Sequence, residues 1–271
     1  MSTKQEQNKF NPFAARPKKG VNISRMIAVV SGKGGVGKSM VTGLLGSAAQ
    51  QVGFNSAILD ADVTGPSIGR MFNITDKAAG TDDLIYPAVT ESGLKVISAN
   101  MLLETEDTPV LWRGPMIASA VKEFYTNVTW GDIDVMFLDM PPGTGDVPLT
   151  VYQSLPLDGI VIVTTPQDLV SMIVSKAVTM ANQMDIPILG IIENMSWMKC
   201  PHCDDKIYPF GESQLEDLAG RYNLKIIDRL PILPELTTAS DNGAIEEIEI
   251  KNIQESVKRL VFDLDKVDEN S

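Results

Sequence analysis

Cysteine and histidine are scarce in this sequence, and long apolar runs and an excess of positive charge are missing altogether. The 271 residues include two cysteines, Cys200 and Cys203, and one histidine, His202. Two cysteines are too few for the disulfide framework that holds small secreted domains together. No apolar run approaches the roughly 20 residues that span a bilayer, and the N-terminus has no apolar segment of the kind that directs secretion. Lys and Arg number 23 against 35 Asp and Glu, a formal net charge of −12. Such a surface repels nucleic-acid phosphates and anionic lipid, so neither nucleic acid nor a membrane is an expected partner. A reducing, cytoplasmic setting is the expectation.

What is present is a chain of ordinary apolar content, 44%, able to build a sizeable core. Residues 1–24 are polar and aperiodic and read as a flexible leader. Residues 25–271 read as one domain. Within it, short apolar runs alternate with longer helical stretches. The strand candidates are 26–31, 56–60, 94–99, 135–139, 159–164, 187–192 and 224–230. The helix candidates are 38–52, 115–126, 167–183, 212–222 and 252–264. Several of the strands are apolar at both alternating positions, as strands covered on both faces are. Alternation of such strands with helices predicts an α/β fold, a doubly wound, mostly parallel sheet flanked by helices. One stretch, 196–211, breaks the rhythm and reads as an insertion with its own task.

Gly32-Lys33-Gly34-Gly35-Val36-Gly37-Lys38-Ser39 fits the phosphate-loop pattern G-x-x-x-x-G-K-[ST]. It follows an apolar run and opens a helical stretch, the context this motif needs. Glycines let backbone N–H groups approach phosphate oxygens, and the helix N-terminus adds a positive dipole end. The spacing predicts a P-loop ATP site in which Lys38 pairs with the β/γ-phosphates and the Ser39 hydroxyl ligates Mg²⁺. Lys33 is not needed to cradle phosphate within one chain. It reads either as a solvated loop charge or as a cation supplied to a neighbouring subunit's ATP.

Carboxylates for a magnesium-dependent ATPase belong at the C-terminal ends of parallel strands beside this loop. Asp139 ends one such strand and is the expected Mg²⁺ ligand; Pro141–Asp146 after it reads as a switch loop. Asp60 and Asp62 end another strand. Asp60 is expected to hold a magnesium water and Asp62 to orient the attacking water. Asn194, just past a further strand, is a candidate for the adenine ring.

Cys200-Pro201-His202-Cys203 is the one place with soft ligands. A single CxxC supplies two thiolates, whereas zinc and iron–sulfur centres usually take four. Two copies across a twofold axis would complete the set. A bridging iron–sulfur cluster, a bridging zinc, a redox dithiol and an inert reduced pair all remain compatible with the spacing.

Taken with the stretches 60–67, 112–115, 130–131, 139–146, 165–167 and 193–196, these motifs resemble the Mrp/ApbC-type iron–sulfur cluster carriers, P-loop ATPases of the deviant Walker A type related to MinD and ParA. The resemblance runs from about residue 26 to about residue 243. It implies an ATP-hydrolysing homodimer in which Lys33 is the signature lysine and Asp62 the switch aspartate. It also implies that Cys200 and Cys203 hold a 4Fe–4S cluster between subunits for transfer to apo iron–sulfur proteins. The chain departs from the family pattern at Ile173 and Ser175, where Asp and Arg are usual, at Thr237, where Arg is usual, and at Asp204, where Gly is common. Two other functions remain to be tested: a MinD/ParA-like positioning protein, disfavoured by the acidic C-terminal stretch, and a zinc-bridged ATPase of chaperone type.

Overall fold

The computed structural model describes residues 15–62, 65, 67–75, 77–81, 84–98, 101, 114–167, 170–203 and 205–262. Its centre is an eight-stranded sheet: β1 (Met26–Val30), β2 (Ser56–Asp60), β3 (Ala88–Val89), β4 (Lys95–Ser98), β5 (Val135–Asp139), β6 (Gly159–Thr164), β7 (Ile188–Glu193) and β8 (Ile226–Arg229). The strands lie side by side in the order β8-β7-β6-β1-β5-β2-β4-β3. Every neighbouring pair is parallel except β3 with β4, which is antiparallel.

The two-sided apolar character of the strands is explained by two separate cores. Met26, Ala28, Val30, Leu59 and Leu138 pack on one face with Ile117, Val121, Val151 and Val174. The latter come from α3 (Gly114–Asn127), α4 (Asp146–Ser154) and α5 (Val170–Gln183). Ile27, Val29, Ile58 and Phe137 pack on the other face with Val41, Leu45, Val257 and Leu260. These belong to α1 (Lys38–Gln51) and α8 (Lys251–Phe262). A period of two along each strand thus feeds two layers of helices, as in a doubly wound sheet. The remaining helices are α2 (Ile68–Met71), α6 (Leu215–Tyr222) and α7 (Pro234–Asp241). Among the described residues no helix is long and apolar enough to cross a membrane.

Strands 56–60, 135–139 and 159–164 have the expected bounds, and the other predicted elements shift by one to three residues. Larger differences also occur, among them the helix Pro234–Asp241, which no predicted element covers. Asp146–Ser154 is helical although it carries Pro148; the proline lies in the first turn, where its missing N–H has no helical acceptor to lose. The antiparallel edge strand Ala88–Val89 is too short to carry a pattern. The expected leader does not extend to residue 24: Ala15 is buried, its N–H bonds Ser154 O, and Asn22–Ile23 pairs in parallel with Asp132–Ile133. Residues 1–14 lie outside the described residues, as do Val63, Thr64, Pro66, Trp112, Arg113 and Asp204.

Candidate functional site

β1 lies between β5 and β6, so the chain leaving its C-terminal end enters the crevice where open α/β sheets bind ligands. The loop from Gly32 to Gly37 fills that exit. Gly37 has φ +78°, a left-handed conformation that favours glycine, and it caps α1, whose Val41 N–H bonds Gly37 O at 3.0 Å. A Cβ at Gly37 would stand 2.2 Å from Asn194 Nδ2. Gly34 and Gly35 are exposed at the loop's crest.

Lys38 is the first residue of α1 and only 6% exposed. Its ammonium donates to Asp139 Oδ1 at 2.6 Å and lies 3.8 Å from Asp62 Oδ2. Asp139 is fully buried and also accepts the Ser39 hydroxyl at 2.6 Å and the Thr42 hydroxyl at 2.9 Å. The structure therefore joins the P-loop lysine and serine with the expected strand-end carboxylate. Thr42, one turn along α1, completes the cage; its place four residues after Lys38 was the signal available in the sequence.

Asp60 and Asp139 are register partners on adjacent parallel strands. Asp60 is completely buried, and burial first, then the negative charge of Asp139, push its carboxyl up to about 8. The Ser98 hydroxyl, at 2.7 Å from Oδ2, and the Asp62 N–H, at 3.0 Å from Oδ1, offset part of this. Asp60 thus braces the backbone that presents Asp62, and its two oxygens are engaged by protein donors. Ser98 was not marked by any motif; only the pairing of β4 with β2 brings it there.

Two further loops close on the P-loop. Gly143 N–H, in the Pro-Pro-Gly-Thr-Gly segment, donates to Ser31 O at 2.9 Å. Asn194 Nδ2 donates to Val36 O at 2.9 Å, so its amide meets the loop backbone, a contact that spacing alone did not reveal. Lys33 Nζ donates to Gln167 Oε1 of the same chain.

The cysteines lie on a hairpin in which Met198–Lys199 pairs antiparallel with Lys206–Ile207. The hairpin is tied across its mouth by Cys200 N–H to Asp205 O at 2.9 Å. Lys206 sits over the Trp197 ring, 4.3 Å from its centroid. Cys200 is half-buried and Cys203 exposed. The His202 N–H, then the Cys203 thiol and N–H, hold the Cys200 thiol below its ordinary range; a soft metal takes thiolate ligands. No cluster of three or more His, Cys, Asp or Glu able to hold a metal exists among the described residues.

At the root of this hairpin is a residue whose role the motifs did not disclose. Glu193, the last residue of β7, is 1% exposed. It accepts the hydroxyls of Ser196 and Ser213 and lies 3.6 Å from Arg229 Nε.

Comparison with known proteins places this geometry. The family described as ParA, NUBPL iron-transfer P-loop NTPase, matches residues 22–264. The iron–sulfur cluster carrier protein of Clostridium perfringens is 45% identical over 239 residues, covering 85% of this chain and 84% of that one. A mitochondrial iron–sulfur protein required for NADH dehydrogenase from Arabidopsis thaliana is 40% identical, covering 82% and 71%. Among solved structures, a nucleotide-binding protein of Archaeoglobus fulgidus in complex with ADP aligns with TM-score 0.76 and 42% identity, covering 85% of this chain and 90% of that one. The cell-division ATPase MinD of Pyrococcus furiosus shares the fold, with TM-score 0.61 at 19% identity over 90% and 99% of the two chains. Sequence, fold and strand-end chemistry converge: the chain belongs to the ParA-type NUBPL iron-transfer P-loop NTPases, the family of the iron–sulfur cluster carriers.

Proposed function

We propose that the protein is a homodimeric carrier that binds Mg–ATP, hydrolyses it slowly, and holds a 4Fe–4S cluster between two Cys200–Cys203 pairs for transfer to apo iron–sulfur proteins. One observation carries this reading: a P-loop cation–carboxylate cage and a pair of free thiols on one hairpin occur in one chain, joined through Glu193-Asn194. The names of the Clostridium and Arabidopsis relatives and the ADP complex of the Archaeoglobus relative support both halves. Dimerisation is supported by the ligand count, since each chain has two thiols and a cluster takes four. It is supported too by Ile207, Tyr208 and Phe210, large apolar side chains exposed beside the cysteines.

The donor set around Asp139 suits magnesium: a serine hydroxyl and a carboxylate are hard oxygen ligands. Ser39 and Asp139 would hold the ion, with Asp60 behind them. The ion would neutralise charge on the phosphates when bound. Lys38 pairs with the β/γ-phosphates by exchanging its contact with Asp139. Asp62, beside Lys38, orients the water for in-line attack on the γ-phosphate. Lys33, leaving Gln167, supplies its charge to the nucleotide of the second chain. Asn194, pinned to Val36 O, sets the wall on the adenine side.

Anaerobic reconstitution with iron and sulfide tests the reading. Wild type is expected to take up iron and acid-labile sulfide in equal amounts and to absorb near 400 nm, on the order of that wavelength for such clusters. Cys200→Ala and Cys203→Ala are expected to take up little. Equal uptake by wild type and both variants overturns the proposal.

A further inference from the structure

The nucleotide loop and the cysteine hairpin are both attached to one short segment. Asn194 reaches back to the P-loop through Nδ2 and Val36 O, and its own N–H bonds Thr164 O at 2.7 Å. One residue earlier, the buried carboxylate of Glu193 accepts hydroxyls from Ser196, where the chain departs for the hairpin, and from Ser213, where it returns. Met195, between Asn194 and Ser196, has φ +56°, a left-handed conformation uncommon for a residue other than glycine. Ser213 Oγ also accepts the Leu215 N–H at 3.0 Å, so the returning chain is fixed at the start of the Leu215–Tyr222 helix. That helix is tied to the same centre through Glu216 and Arg229.

A carboxylate with almost no solvent contact is costly unless donors replace its water. Here two of the donors are the entry and exit of the cysteine-bearing insertion. Neither end can shift while Glu193 stays put without stripping a buried charge of a partner. Glu193 in turn is covalently next to the residue that grips the P-loop. A displacement of the loop backbone at Val36 therefore moves both feet of the hairpin together instead of dissipating in a flexible link.

We infer that Glu193 is a positioning residue that couples the P-loop to the Cys200–Cys203 pair through Ser196 and Ser213, so that nucleotide binding changes the setting of the two thiols. The inference rests on the reading of the two sites as one nucleotide-governed carrier and adds the route by which one governs the other.

The test uses the full-length, reduced, metal-free protein and measures alkylation of its two cysteines by iodoacetamide, with and without Mg–ATP. Wild type is expected to show a several-fold difference between the two rates, as typical site-to-site couplings give. Ser196→Ala with Ser213→Ala is expected to bind ATP as wild type does by calorimetry, yet to bring the ratio of rates close to one. Ser213→Thr, which keeps a hydroxyl, is expected to retain the wild-type ratio, and Glu193→Gln to reduce it. A purely structural loosening would raise both rates and preserve their ratio. Should the double variant fold poorly, each single serine variant is read in the same way. An unchanged ratio in the serine variants, or no effect of ATP on wild type, overturns the inference. Because no iron enters the assay, failure of cluster binding would leave this result untouched, and a positive cluster assay would not rescue a negative one here.

Discussion

Lys38 Nζ and Asp139 Oδ1 meet at 2.6 Å in the protein interior, one at the first residue of α1 and the other at the last residue of β5. The pair fixes the P-loop helix against the sheet and stores the two charges that Mg–ATP would use. Removing one partner of a buried pair strands the other charge. Asp139→Ala is therefore expected to destabilise the protein by roughly 3–5 kcal/mol in addition to losing nucleotide binding. Denaturant unfolding without nucleotide checks it; a loss well under 1 kcal/mol (about the worth of an exposed pair) contradicts it.

Gly37 carries the tightest steric demand in the loop. Alanine there meets both a left-handed backbone and the Asn194 amide. The backbone term alone costs about 1–2 kcal/mol. Gly37→Ala is expected to weaken ATP binding strongly, and adding Asn194→Ala is expected to restore part of it by removing the clash. Calorimetric affinities of the two single variants and the double variant give the coupling; strictly additive losses would show that the contact with Asn194 is unimportant.

Asp62 is held by its N–H on Asp60 and lies near Lys38 without replacing Asp139 as its partner. Asp62→Ala should spare ATP binding and reduce turnover by about a hundredfold or more, the usual scale of a lost water-orienting group. Phosphate release under saturating ATP measures this, and undiminished release removes the assignment.

Asp60 gives a pH dependence of known sign. In the unfolded chain its carboxyl ionises near pH 4, whereas in the folded protein it keeps its proton up to about 8. Between these values the folded state holds the extra proton, so the stability this group contributes is fully present below about 4 and is lost as pH rises toward 8. Asp60→Asn cannot ionise. Its melting temperature in EDTA, relative to wild type, is expected to rise steadily from pH 5 to pH 8; parallel curves for the two proteins would contradict the burial of an ionisable group at this position.

The P-loop, the strands and the strand-end aspartates were legible because their signals are local: a fixed spacing of glycines, two-sided apolar runs, and an acid at the last strand position. The CxxC was legible for the same reason. What escaped the sequence depends on tertiary pairing. Ser98 reaches Asp60 only because β4 lies beside β2. Ser213 reaches Glu193 from 20 residues further along the chain, across the insertion. Ala15 and Asn22–Ile23 look polar in context, yet they dock on Ser154 and Asp132–Ile133. The Asn194 amide finds a backbone carbonyl that no spacing rule marks.

The proposed carrier function requires two chains sharing one cluster through four thiolates. Native mass spectrometry of anaerobically reconstituted protein measures that stoichiometry directly. The predicted species is a pair of chains bearing one 4Fe–4S cluster, which falls apart into cluster-free single chains when Cys200 or Cys203 is replaced. A cluster retained by single chains, or a pair bridged by zinc in place of iron and sulfide, would contradict it.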